Sequence, residues 1–202
     1  MRKLVLTKTV ALLLLSIGFT AVTASPGLAQ SAYSGHSLDV GLDYNYVRSN
    51  LPVGGCGCFA LNGGSAWMAF NVSRSLSIVG EIASQDGSNI SGSGADLTLT
   101  SFLAGPRYRR KVAGRFGPFV QVLLGGAHAG GSLAPGSSGL PGSANAFAMI
   151  AGGGLDIGLT RHIALRAFEA DYYLTRFDNG VNDHQNNLRI AAGVIIRLGG
   201  GR

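Results

Sequence analysis

The chain has 202 residues, 32 of them glycine, with 13% charged residues and a formal net charge of +6. Three of the 16 Lys and Arg residues lie in the first eight positions, so the remainder carries 13 basic against 10 acidic residues, a net charge of +3. This small and scattered excess argues against a nucleic-acid partner. Abundant glycine, little charge and no long helical pattern favour a protein of strands and turns.

Residues 1–29 have the pattern of a secretory signal peptide. A basic start precedes an apolar run over 10–22, and Gly-Leu-Ala at 27–29 or Val-Thr-Ala at 22–24 offers a cleavage site. The alternative is a transmembrane anchor, for which the run is short. No later segment has 18 consecutive apolar residues, so we expect no spanning helix. We predict one domain over 33–199, followed by a short tail at 200–202.

The strongest strand signal is at the end of the chain. Over residues 188–198 every second side chain is large and apolar or alanine, and Arg189 and Arg197 lie on the other face. Its length matches the roughly nine to eleven residues that a strand needs to cross a bilayer. Weaker alternation predicts seven more strands, over 38–48, 66–72, 76–84, 97–108, 119–128, 145–157 and 162–175.

The connections between these strands alternate in length. Short basic turns are predicted near Arg74 and over 109–116 and 158–161, and longer polar loops over 49–65, 85–96, 129–144 and 176–187. This alternation is typical of outer-membrane barrels, with the short turns on the periplasmic side. We therefore predict an all-β fold, an eight-stranded antiparallel up-and-down transmembrane β-barrel with both termini in the periplasm.

The face opposite the apolar one predicts the contents of the lumen. An eight-stranded barrel is just wide enough to be filled by side chains, and a buried charge must be paired. The first and last strands must meet to close the barrel, so Asp39 and Asp43 are expected beside Arg189 and Arg197. The predicted lumenal charge network consists of Asp39, Asp43, Glu81, Arg189 and Arg197.

Two strands do not alternate cleanly. In the fourth, Thr98 and Thr100 suggest that even-numbered residues face inward, but Arg107 is odd-numbered. In the seventh, Arg166 is even-numbered, whereas Glu169 and Asp171 are odd-numbered. An inserted residue switches the phase of a strand, which predicts β-bulges near 101–104 and near 167–168. The alternative is that both arginines lie at the rims and extend to water.

Aromatic residues fall near the predicted strand ends, as expected for interfacial girdles. The girdle prediction covers Tyr44, Tyr46, Trp67, Phe70, Tyr108, Phe119, Phe147, Tyr172 and Tyr173.

The two cysteines, Cys56 and Cys58, lie in the first long loop. An even cysteine count in an exported protein favours a disulfide, although so small a ring is strained. Free or intermolecular thiols and metal binding are the alternatives, the last weakened because a structural zinc site needs four ligands.

Catalytic motifs are weak. His128 with Ser132 and His184 in the last loop could imitate the His and Ser of a lipid-modifying barrel, but no signature spacing supports this, and solvated histidines are the simpler interpretation. The glycine clusters at 125–126 and 152–154 lie inside strands with no helix following, so they are not phosphate loops. We assign no catalytic, cofactor-binding or metal-binding residue.

The segment 105–108, Gly-Pro-Arg-Tyr, and the ending 193–198, Gly-Val-Ile-Ile-Arg-Leu, resemble the small outer-membrane β-barrel proteins of the OmpA/OmpX type. The resemblance covers about residues 33–199, and the loop at 55–59 and the ending at 186–199 resemble an uncharacterised bacterial subgroup. It implies an outer-membrane barrel with a role in envelope integrity or adhesion, without catalysis or cofactor. One departure is that Leu198 stands where the family commonly has the aromatic residue that the assembly machinery recognises.

The expected function is thus structural: an exported, monomeric, non-catalytic outer-membrane barrel with a filled lumen. Its expected partners are outer-membrane lipid, the barrel assembly machinery and an extracellular ligand at the loops. A narrow permeability channel is the alternative, and a lipid-modifying enzyme a further one.

Overall fold

The computed structural model describes residues 37–50, 58–90, 95–132, 142–177 and 183–198. Within these residues the chain forms eight strands, of 13 to 17 residues each. They are β1 Leu38–Asn50, β2 Cys58–Asn71, β3 Leu76–Ile90, β4 Ala95–Arg109, β5 Phe116–Gly131, β6 Gly142–Gly158, β7 Ile163–Thr175 and β8 Gln185–Leu198. Every predicted strand is present, and most extend further toward the long loops than their apolar alternation indicated.

All neighbouring strands pair antiparallel, and β1 pairs with β8, so the sheet closes into a barrel. At this closing pair Leu38 lies opposite Leu198 and Arg48 lies opposite Leu188. Closure leaves no sheet edge with unpaired backbone groups. The predicted eight-stranded up-and-down barrel is confirmed.

Strand alternation separates an apolar outside from a polar inside. The large side chains of the outer wall are 40% to 66% exposed. We call this wall the apolar belt; it includes Leu42, Met68, Phe70, Leu76, Ile78, Ile82, Phe102, Val120, Val122, Leu124, Ile163, Leu165, Phe168, Ile190, Val194, Ile196 and Leu198. The inward positions of the same strands hold buried charges and amides, because successive residues point to opposite faces.

The bulge predicted near 167–168 is confirmed. Arg166 pairs with Gly193, but Glu169 pairs with Ala191, so β7 has one residue more than β8 over this stretch. The ladder with β6 shifts at the same place. Ala167 and Phe168 therefore both face outward, and Arg166 and Glu169 both face the lumen. The alternative position of Arg166 at a rim is wrong, since it is fully buried.

The bulge predicted near 101–104 is wrong. The ladder between β3 and β4 runs without a shift from Leu97 to Tyr108. The inward position predicted for Thr98 and Thr100 is wrong. Both face outward, where Thr98 bonds to Asp86 and Thr100 to Ser84. Arg107 therefore has the regular lumenal parity, and it is 1% exposed rather than at a rim.

The short turns are held by local hydrogen bonds. The Ser73 Oγ accepts from the Leu76 backbone N–H at 3.0 Å, and the Thr160 Oγ1 accepts from the Ile163 N–H at the same distance. The turn between β4 and β5 closes through a bridge between Val112 and Phe116. Its tip, Ala113 and Gly114, has positive φ, which glycine adopts without strain.

No helix among the described residues is long and apolar enough to cross a membrane. The predicted signal peptide at 1–29 and the tail at 200–202 lie outside the described residues.

Deletion of Ala167 should give a barrel that still folds. It removes the extra residue of β7, keeps Arg166 and Glu169 on the lumenal face, and leaves both neighbouring registers intact. The measurement is the gel mobility of unheated and boiled protein, which differs when a barrel is folded.

Deletion of Ala170 is the matched control, because this residue lies in a regular part of both ladders. A one-residue slip there turns Asp171 and Tyr173 onto the lipid-facing side, so we expect no folded band. Equal behaviour of the two deletions would contradict the bulge assignment.

Candidate functional site: the charged lumen

The buried charges inside the barrel form one connected group, which we call the lumenal cluster. Its first centre is Arg189 of β8. Its guanidinium donates to Glu81, to Glu169 Oε1 at 2.6 Å and to Asp171 Oδ2 at 2.9 Å. All four side chains are buried, and they come from β3, β7 and β8. Arg189 therefore links opposite sides of the barrel through charge-assisted hydrogen bonds.

Arg166 forms a second centre beside it. It donates to Asp43 at 2.9 Å, to Asp156 at 3.1 Å and to Glu169 at 2.6 Å. Glu169 thus bridges Arg166 and Arg189, and it also accepts from Gln121 Nε2 at 3.0 Å. The Trp67 indole N–H donates to the same Asp43 oxygen at 2.7 Å.

Two aromatic rings fill the space between the cations. The guanidinium carbons of Arg107 and Arg166 both lie 4.4 Å from the Trp67 ring centroid. They lie 4.8 Å and 4.6 Å from the Phe119 ring centroid. These are cation–π distances, and the rings are almost fully buried. Arg107 is held in place by Gln121, which accepts two of its N–H groups.

Near the short turns, Arg109 closes the cluster. Its Nη2 donates to Asp39 at 2.9 Å and its Nη1 lies 3.7 Å from Asp156. Toward the long loops, the inward side chains become mainly apolar. They pack in one core with the Trp67 ring: Val47, Leu61, Leu99, Leu103, Leu123, Ala127, Ala129, Ile150 and Phe177.

Two glycines make this packing possible. A side chain at Gly41 would overlap the Trp67 indole, and one at Gly193 would overlap the Asp43 carboxylate and the backbone of Leu42. Both glycines face the lumen, so the space they leave is taken up by a larger neighbour.

The five predicted network residues all point inward, but their pairing differs from the prediction. Arg189 bonds to Glu81, another member of the predicted network. Asp43 bonds instead to Arg166, and Asp39 bonds to Arg109. Arg197 lies opposite Asp39 in the ladder, is half-buried, and forms no ion pair with a described residue. The prediction paired side chains that are backbone neighbours, but the inward arginines reach across the barrel instead.

The residues missed in the network are Arg107, Arg109, Asp156, Arg166, Glu169 and Asp171. The sequence holds a signal for Arg107, because the inward-facing residues of β4 are odd-numbered throughout and Arg107 is one of them. Placing Arg166 required accepting the bulge.

Three aromatic residues predicted for the girdles are lumenal instead. Trp67 is 1%, Phe119 4% and Tyr173 1% exposed. Each of the three is an even number of residues away from inward-facing polar residues of its strand. It therefore lies on the same face as they do, even where it is close to a strand end. Phe70, Tyr44, Tyr108, Phe147 and Tyr172 do face outward, and Tyr46 is partly exposed.

The predicted rim histidines are not brought together. His128 Nδ1 lies 2.7 Å from Asn145, and Ser132 bonds to the backbone of Asp96. His184 lies 2.7 Å from Asp183 and lowers the pKa of that carboxyl by hydrogen bonding. Within the described ranges, no group of three or more His, Cys, Asp or Glu side chains is arranged to hold a metal ion.

The predicted cysteine pair lies outside the described residues. Cys56 is not described, and of Cys58 the structure gives only its backbone at the start of β2.

Solved structures share this fold. Neisserial surface protein A superposes with a TM-score of 0.61 at 15% identity, over 80% of this chain and 98% of that chain. Ail, the attachment invasion locus protein of Yersinia pestis, has a TM-score of 0.52 at 17% identity, over 82% of this chain and 100% of that chain. Ail has also been solved with the heparin analogue sucrose octasulfate, at 16% identity, a TM-score of 0.52 and the same coverage of both chains.

No protein-family model matches the chain, and no curated protein matches it. At these low identities the similarity is one of fold. The chain has the fold of the small outer-membrane β-barrels, as the resemblance implied.

Replacement of Asp43 by Ala should destabilise the barrel by about 3 kcal/mol, because it leaves buried N–H groups of Arg166 and Trp67 without an acceptor. The free energy of unfolding in urea, measured in lipid vesicles, tests this. Asp183→Ala is the matched control, since its ion pair with Arg176 is exposed and should add nothing measurable. An unchanged midpoint for Asp43→Ala would contradict the network.

Proposed function

We propose that this chain is an integral outer-membrane barrel with a structural or surface-interaction role, a closed lumen and no catalytic activity. The observation that carries the proposal is the apolar belt on a sheet without an edge. Soluble monomers rarely expose an apolar patch larger than a few hundred Å². A closed barrel is one of the two architectures that satisfy every backbone group in hydrocarbon.

A ring of outward-facing polar pairs bounds the belt on the long-loop side, and we call it the polar collar. Each of the four hairpins that lead into a long loop contributes to it. Its pairs are Tyr44–Asn62 at 2.7 Å, Ser84–Thr100 at 3.2 Å, Asp86–Thr98 at 2.6 Å, His128–Asn145 at 2.7 Å, and Tyr172–Asn186. Such pairs suit the hydrated headgroup level. They support an orientation with the loops outside and the short turns in the periplasm.

The lumenal cluster supports a barrel that does not conduct ions. A conducting pore needs a continuous wet path, but Trp67, Phe119 and the guanidiniums beside them pack together in the lumen toward the short-turn ends of their strands. Much of the apolar core, including Val47, Leu61 and Phe177, lies on the long-loop side of this cluster. The role of the lumen is therefore to hold the wall together.

Binding at the loops is the remaining part of the proposal. Ail was solved with a sulfated heparin analogue. On this chain the described residues of the loop side expose Arg48 and Arg176 against Asp86, Asp96 and Asp183. A strongly anionic ligand is not favoured by this balance, so we infer a neutral or weakly charged extracellular partner. Assembly would proceed through the barrel assembly machinery, with Leu198 as the last residue of β8.

The experiment uses one refolded preparation. The proposal predicts that unheated protein migrates differently from boiled protein, and that the folded protein gives no discrete conductance steps in planar bilayers. The control is W67A/F119A, which removes the two rings from the lumen and should raise the current above the wild-type level.

Stable wild-type conductance would favour the channel. Protein that stays in solution without lipid, with no mobility shift, would overturn the membrane assignment. Cleavage of lipid A or another lipid by the wild-type protein would overturn the non-catalytic role.

A further inference from the structure

The short-turn end of the barrel has an unusual charge distribution. The described turns expose five cationic side chains: Arg74, Arg110, Lys111, Arg115 and Arg161. The three turns, over 72–75, 110–115 and 159–162, contain no Asp or Glu. None of these five side chains forms an ion pair with a described residue. We call them the basic rim.

Two of the rim arginines are presented by equivalent turns. In each, a hydroxyl residue accepts from the N–H three residues later, and the arginine follows the hydroxyl residue directly. The backbone bonds also match, with Ser73 N–H to Leu76 O and Thr160 N–H to Ile163 O both at 3.0 Å. Arg74 and Arg161 are therefore fixed at the tips of two rigid turns.

The rim lies directly against the apolar belt. Arg74 is two residues from Val72 and Leu76, and Arg161 is two residues from Leu159 and Ile163, all exposed and apolar. At about 3.3 Å per residue, the arginine backbones lie within about 7 Å of these side chains. The headgroup layer extends about 5–7 Å beyond the hydrocarbon on each side of a bilayer.

We propose that the basic rim binds the anionic phospholipid headgroups of the leaflet that faces the periplasm. This proposal rests on the membrane function proposed above. The positive charge of the basic rim favours lipids with a net negative headgroup. Its position at the level of the headgroup layer favours a lipid over a soluble partner. Among the residues that the structure describes, the long-loop side exposes two cations and three carboxylates, so we expect the selectivity at the short-turn end.

The probe is a mixed bilayer. Folded protein is placed in nanodiscs of equal phosphatidylglycerol and phosphatidylcholine, and the lipids that stay bound after mild detergent extraction are quantified by mass spectrometry. A single cation near an anionic surface contributes a factor of about five, so the wild-type protein should retain phosphatidylglycerol in at least about fivefold excess at low salt. The excess should fall at 0.5 M salt through screening.

The variant R74Q/R161Q keeps both hydroxyl-capped turns and should lose most of the excess. The control R48Q/R176Q removes two cations from the opposite rim and should keep it. R74K/R161K preserves the charge and should also keep it, which separates charge from turn structure. The triple variant R110Q/K111Q/R115Q tests the middle turn independently and should reduce the excess.

Equal retention of the two lipids by the wild-type protein would overturn the proposal, as would equal loss in R74Q/R161Q and R48Q/R176Q. Binding of soluble polyglutamate without lipid selectivity would overturn it in favour of an acidic soluble partner. The mobility shift of the same preparation shows first whether the barrel is folded in lipid. Failure of the lipid proposal is therefore distinct from failure of the membrane function.

Discussion

Closure of the sheet between β1 and β8 is the constraint on which the rest of the structure depends. Once the barrel is closed, each side chain points either to the outer wall or into a lumen too narrow for bulk water. A charge that points inward must therefore find a partner inside, and a large apolar side chain that points outward must be covered by lipid. The apolar belt and the buried ion pairs follow from the same alternation.

In the lumen, a few arginines each bind several carboxylates. Arg166 and Arg189 each contact three carboxylates, and Glu169 contacts both of them. Removing one member of such a cluster leaves several buried groups unpaired. The contacts of Asp183 with Arg176 and His184 are exposed, so removing Asp183 leaves no buried group unpaired. Under the proposed function, the packed lumen also denies ions a path through the barrel.

The sequence predicted the fold because a period of two over about ten residues is a strong and local signal, as in 188–198. It also placed Asp43, Glu81 and Arg189 in the lumen. Side-chain pairing was not predictable, because Arg189 reaches β3 across the barrel and no local pattern encodes that distance. The girdle prediction for Trp67 is wrong because the alternation of the strand, and not nearness to its end, decides which face a side chain lies on. The polar residues Thr98 and Thr100 suggested the wrong phase, since outward positions beyond the apolar belt need not be apolar.

The central claim is that buried ion pairs across the lumen hold this barrel together, and the Glu81–Arg189 pair tests it most directly. The measurement is a double-mutant cycle with E81Q, R189M and the double variant, using free energies of unfolding in lipid vesicles. The account predicts a coupling energy of about 2 kcal/mol, within the range for groups in one buried network. A coupling energy of zero within error would contradict it.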